Sequence, residues 1–302
     1  MRKLSFRRIG FAAALLLALS TQIGAAVAPF ARPVPAAAKT MLFRVRAPSG
    51  GATVYLLGSI HLLPESSRLP AVVDSAFAKA GVVAFETSLD SVELRASELL
   101  VRSQYQNGAT LRSSLSPEGA AKADRLLKTY GLSLDQFNQF KPWFVSFVMT
   151  ELVLGKANFK AESGVDLQLH TRAKRANKPV VGLEGVDFQL GLFDSLSPAD
   201  QERMLVESDP PDSSVKHLMV IRDAWAAGDA PKLDSLVNSD ATYSASSLAI
   251  LITNRNKSWI PKIEQMLKGK SDALVVVGAA HLVGKEGVVE LLKAKGYTVE
   301  QM

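Results

Sequence analysis

The chain has 302 residues, no cysteine, four histidines and a formal net charge of +6. The missing cysteines exclude disulfides, thiolate metal sites and thiol nucleophiles. Arg2, Lys3, Arg7 and Arg8 account for most of the excess charge; without them 31 basic residues face 29 acidic ones, which gives no footing for nucleic-acid binding.

Those four cations open an N-terminus built like an export signal. The stretch Phe11 to Leu19 is apolar but too short to span a bilayer, and Ala26-Val27-Ala28 fits the A-x-A cleavage rule. Residues 1–28 therefore read as a signal peptide, which implies a periplasmic or secreted protein. Residues 29–40 read as a flexible Ala/Pro-rich leader. Residues 41–302 read as a single α/β domain, long enough to bury its own core. No later segment holds the roughly 18 uninterrupted apolar residues of a membrane helix, so no stable span is expected after cleavage.

The domain opens with alternation over Met41 to Arg46, a Gly50-Gly51 turn and a strand at Thr53–Leu57, a hairpin pattern. Pro70 to Lys79 suits a helix, and Val82 to Glu86 is a further strand ending in a carboxylate. This strand–helix–strand order predicts parallel pairing. Helical patterning fills about 91–175, with Ser116-Pro117 as a capped start and Pro142 to Gly155 as a buried apolar helix. Pro179 to Glu184 returns to strand character. A second helical region covers about 186–269, restarting at Ser197-Pro198, with its last helix from Ser258 to Leu267. Strand Ala273–Val277, a helix over Lys285 to Lys295 and a short strand at 297–301 close the chain. The expected fold is α/β (α+β): one mixed sheet with a large helical middle.

Two segments read almost alike: Leu57-Gly58-Ser59-Ile60-His61-Leu62 and Val277-Gly278-Ala279-Ala280-His281-Leu282. Each is an apolar run followed by Gly-x-x-His. His61, Glu86, Glu184 and His281 thus all fall at or just past the end of an apolar strand, the edge where open α/β sheets carry their chemistry. Imidazole and carboxylate together suit a catalytic divalent metal, zinc among the candidates, and suit metal-free acid–base catalysis equally. Glu86 has the alternative of capping the next helix. Arg255 and Asn256 have the chemistry to bind a substrate carboxylate or an oxyanion, or Asn256 and Ser258 to cap a helix. His170 and His217 read as packing or surface residues. No H-E-x-x-H helix, phosphate-binding glycine loop or G-x-S-x-G elbow occurs.

These residues resemble a known family. Gly58-Ser59-Ile60-His61, Phe85-Glu86, Gly164-Val165-Asp166, Gly182-Leu183-Glu184 followed by Gln189, Arg255-Asn256 and Gly278-Ala279-Ala280-His281-Leu282-Val283-Gly284 are similar, in order, to motifs of the TraB/GumN family, which includes the Tiki metalloproteases. The resemblance implies a fold like that of erythromycin-esterase and ChaN-like proteins. It implies a metal-dependent peptidase using manganese or cobalt, with His61, Glu86 and His281 as the catalytic and metal-binding site, acting on a peptide or protein. On this reading Glu184 is a second catalytic carboxylate, and Arg255 and Asn256 bind substrate. Two rivals remain: a haem- or metal-binding periplasmic protein without turnover, and a metal-free His/Glu esterase.

Overall fold

Strand β2 (Val54–Ser59) is buried at all six positions, and β7 (Ala273–Gly278) at its first five. Continuous apolar runs of this kind need cover on both faces. The two lie side by side and parallel, with Gly58 opposite Val277 and Ser59 opposite Gly278. The computed structural model that gives this arrangement describes residues 39–302, apart from 66 and 91–94. The signal-peptide reading and nearly all of the leader lie outside the described residues.

Six strands form the main sheet in the order β6 (Val180–Gly182), β4 (Val82–Phe85), β7, β2, β1 (Leu42–Arg46), β8 (Thr298–Gln301). β6, β4, β7 and β2 run parallel; β1 is antiparallel to β2 and β8. The fold is mixed α/β, as the sequence predicts. Because side chains alternate along a strand, β7 divides its residues between two cores. Ala273, Val275 and Val277 pack with Trp259, Ile263 and Leu292. Leu274 and Val276 pack with Val73, Phe77, Val165 and Leu169. Burying each such aliphatic side chain stabilises the fold by roughly 1.5–3 kcal/mol. A third core sits in the helical middle, around Phe137, Phe140, Trp143, Phe144, Met204 and Leu205.

The predicted helix starts at Ser116 and Ser197 are both present. Each serine hydroxyl accepts the backbone N–H three residues on, with proline at the first helical position. Two features differ from expectation. A two-residue ladder, β3 (Leu63–Pro64) with β5 (Phe159–Lys160), is too short to leave a periodic pattern; it ties the chain after His61 to the chain before Gly164. The helix expected from Ser258 instead begins at Ala245, capped by Ser244, and passes through a π-helical turn (Ala249–Thr253) into Asn254–Leu267. Asn256 and Ser258 therefore cap nothing; the polar run that resembles a helix start lies in mid-helix, with Arg255 and Asn256 buried and Asn254, Lys257 and Ser258 exposed.

Gly58 has a packing role. A Cβ there would lie 3.1 Å from the Ala279 Cα and 3.2 Å from its Cβ, while the Gly58 carbonyl accepts the Trp225 indole N–H at 2.8 Å. Gly58→Ala should therefore cost about 1–3 kcal/mol by overpacking, read as a lowered urea midpoint; an unchanged midpoint would contradict the close approach of β2 to the turn after β7.

Candidate active site at the carboxyl edge of the sheet

Parallel pairing sends the ends of β2, β7, β4 and β6 to one edge, so His61, His281, Glu86 and Glu184 arrive together from four strands. The backbone at His61 is pinned from the far side. The Val165 N–H donates to the Ile60 carbonyl at 3.0 Å, and Gly164 packs so closely on the His61 carbonyl that any Cβ would overlap it. This places Asp166, at the start of helix Val165–Arg175, against the imidazole. Asp166 Oδ2 lies 2.9 Å from His61 Nδ1, and Asp166 Oδ1 accepts the Ser59 hydroxyl at 2.8 Å. With Nδ1 committed to a carboxylate, His61 turns Nε2 away from Asp166.

Glu86 is held at both oxygens. Oε1 accepts the Gly278 N–H at 2.7 Å; Oε2 accepts Arg255 Nη2 at 2.5 Å and Gln189 Nε2 at 3.2 Å. Glu184 accepts Arg255 Nη2 at 2.7 Å, Arg255 Nε at 3.1 Å and the Trp259 indole N–H at 3.1 Å. Arg255 Nη1 completes its set with the Leu251 carbonyl at 2.9 Å and His281 Nε2 at 3.1 Å. All five guanidinium N–H groups are thereby used inside the protein. Asn256 also bonds inward at both ends of its amide: Nδ2 donates to the Glu286 carbonyl at 2.8 Å, so Oδ1 faces His281 Nδ1 at 2.7 Å. That fixes the tautomer: His281 carries its proton on Nδ1 and keeps Nε2 as an acceptor. Its ring tilts against Trp259 with centroids 4.6 Å apart.

The groups meet beside Gly278. A Cβ at this glycine would lie 3.3 Å from Glu86 Oε1, 3.5 Å from His281 Cδ2 and 3.8 Å from His61 Nε2. Its φ of −52° is open to any residue, so the backbone does not demand glycine here; a Cβ would sit at ordinary contact distance from both rings and press only on Glu86 Oε1. The side chain of His61 is 46 % exposed, against 12 % for Glu86 and 5 % for His281. Solvent reaches this centre at His61.

The two histidines are driven apart electrostatically. The Asp166 carboxylate raises the His61 pKa to about 9 against the opposing pull of burial, although water at the exposed ring screens part of that attraction. Burial pushes His281 down to about 3, so it stays neutral. Burial alone would raise Glu86, but Arg255, His281 and His61 outweigh it and hold the carboxyl well below its usual range. Glu184 is raised by burial, with Arg255 opposing.

Of the residues singled out in the sequence, His61, Glu86, His281, Glu184, Arg255 and Asn256 all join one network. Arg255 and Asn256 are buried and spend their polar groups within it rather than presenting them outward. His170 is buried edge-on to Phe85, and His217 is half-buried near Asp209; both stand apart from the network. Asp166 and Gln189 make contacts that the sequence signalled only through the family resemblance, in Gly-Val-Asp and in Gly-Leu-Glu followed by Gln. The donor types suit the divalent metal that the resemblance implies, and anchored Nδ1 atoms are common behind metal-binding histidines. The arrangement does not: His281 Nε2 and Glu86 Oε2 are already held by Arg255. Among the described residues no three His, Asp or Glu side chains form a metal-binding group.

Asp166→Asn should bring the His61 pKa from about 9 down towards 6.5, followed by proton NMR of the imidazole. The sign for stability follows. A folded pKa above the unfolded value stabilises fully below about pH 6.5 and is lost as pH rises through about 9. The variant should therefore lose stability relative to wild type at pH 6 and much less at pH 10.

The sequence profile of the TraB/PrgY/gumN family matches residues 41–301. The "Uncharacterized protein YbaP" of Escherichia coli (strain K12) is 24% identical over 247 residues, covering 81% of this chain and 89% of its own. The protein of the same description from Shigella flexneri gives the same figures. No solved structure matches the chain. The profile spans nearly all of the described fold, including every residue of the network at the sheet edge, and the chain belongs to the TraB/PrgY/gumN family.

Proposed function

We propose that this protein is an exported hydrolase in which water attacks an acyl carbon, most plainly that of a peptide bond, with His61 as the group that moves the proton. The supporting observation is the convergence beside Gly278 of His61 Nε2, Glu86 Oε1 and the His281 ring. A water there can donate one hydrogen to Glu86 Oε1 and the other to neutral His61 Nε2. As the water attacks, His61 takes its proton and the Asp166 carboxylate steadies the imidazolium that forms; the imidazolium then gives that proton to the leaving amine or alkoxide as the acyl bond breaks, which returns His61 to its neutral form. His281 contributes its Cδ2 edge as a wall and, through Nε2, fixes the Arg255 group that holds Glu86 in place. The peptide substrate comes from the family resemblance, and export from the signal-like first 28 residues. The metal-dependent form of the reaction takes no part in this reading, because Arg255 occupies donors that a metal would need.

A His/Glu esterase uses the same residues, and paired substrates separate it from a peptidase. Purified protein should cleave a fluorogenic peptide pool faster than aryl esters. His61→Ala should lose about 10²–10⁴-fold, and Glu86→Ala and His281→Ala should fall with it. Because the base must be neutral, kcat/KM should rise about tenfold per pH unit and level near pH 9. Hydrolysis of both substrate types that is unchanged in folded His61→Ala would defeat the proposal, and a rate that falls through pH 9 would defeat the base role.

A further inference from the structure

We propose that the Arg255 guanidinium is the resident cation of this centre, standing where the family resemblance would put a divalent metal. The three donors expected for that metal are His61, Glu86 and His281. Arg255 holds two of them. Its Nη2 lies 2.5 Å from Glu86 Oε2, and its Nη1 lies 3.1 Å from His281 Nε2.

The hold on His281 is exclusive. Asn256 Nδ2 donates to the Glu286 carbonyl, so its Oδ1 takes the proton of His281 Nδ1. The imidazole then has a single lone pair, on Nε2, and an sp² nitrogen cannot give one lone pair to both an N–H and a metal. Rotating the ring to free it would break the bond to Asn256, which is fully buried. The hold on Glu86 is electrostatic as well as geometric. Glu86 and Glu184 present two carboxylates to one guanidinium, and the Arg255 plane also lies 4.9 Å over the Trp259 ring. A divalent ion at His281 Nε2 would sit within a few ångströms of this fixed positive charge, in a place too buried for water to screen the repulsion.

The pocket also lacks slack. Arg255 stands in the first turn of helix Asn254–Leu267, directly after the π-helical turn, and has all five N–H groups paired. Swinging it out would strand two buried carboxylates. The π-helical turn that precedes it supplies one of the five acceptors, the Leu251 carbonyl. The cation is thus built into the fold and is charged at every working pH.

This assignment uses the same centre as the functional reading, but metal binding is measured without any substrate, so failure of one is told apart from failure of the other. The full chain, freed of metal by a chelator, is titrated with manganese chloride and with zinc chloride alone, by calorimetry and elemental analysis. Wild type should take up no equivalent that depends on His281. Arg255→Met should gain one, about 10–100-fold tighter than anything wild type shows, and His281→Ala in that background should remove it. Where Arg255→Met does not fold, Arg255→Met/Glu184→Gln removes the charge together with one of its carboxylates and is read in the same way. A wild-type equivalent lost in His281→Ala would overturn the proposal, as would a folded Arg255→Met, or its double variant, that binds metal no better than wild type.

Discussion

The sheet edge is organised around a buried guanidinium shared by two carboxylates. Arg255, Glu86 and Glu184 are all nearly shielded from water, with side chains 7 %, 12 % and 6 % exposed. Desolvating three charges is costly, and apolar side chains of similar volume often do as well for stability. What such a triad supplies is position. Each carboxylate oxygen and each guanidinium N–H has a single geometry that satisfies it, so β4, β6 and the helix carrying Arg255 are fixed relative to one another at the carboxyl edge of the sheet. His281 is drawn into the same lattice through Nε2, and Glu86 is fastened to β7 through the Gly278 N–H.

The triad has this effect only because the sheet brings its members together. His61 and His281 are more than two hundred residues apart, and direct parallel pairing of β2 with β7 makes them neighbours. That pairing needs both strands in the sheet interior, which their uninterrupted apolar runs enforce. The helical middle then inserts between the strands in sequence without separating them in space. Its own core of Phe137, Trp143, Phe144 and Leu205 is distinct from the two cores on the sheet.

Much of this was legible in the sequence, for physical reasons. Buried parallel strands cannot hide: Val54 to Leu57, Val82 to Phe85 and Ala273 to Val277 have no polar position to blur them. A titratable side chain directly after such a run stands out, so the four edge residues could be named. What stayed hidden depends on contacts across the fold. Asp166 sits in a helix with nothing local to distinguish it from a first-turn acid, and only the strap at Gly164 delivers it to His61. Asn254 to Ser258 looks like a helix start because buried polar residues and capping residues are the same types. Arg255 and Asn256 were legible as candidate site residues but not as inward-facing, since local sequence does not record which face of a helix meets a carboxylate pair.

The two Gly-x-x-His segments show how far a shared pattern can diverge. In the first, glycine lies within β2, where a Cβ would press on Ala279; in the second it ends β7, where a Cβ would fill the space between Glu86 and both rings. The histidines diverge likewise. His61 has a carboxylate on Nδ1 and water at its outer face, which favours the charged form. His281 has an amide oxygen on Nδ1 and an arginine on Nε2, and burial keeps it neutral. Identical side chains in matching motifs therefore take opposite protonation states at neutral pH. The difference lies in their partners, Asp166 for one and Asn256 with Arg255 for the other, and it leaves His61 as the member of the pair equipped to exchange a proton with solvent.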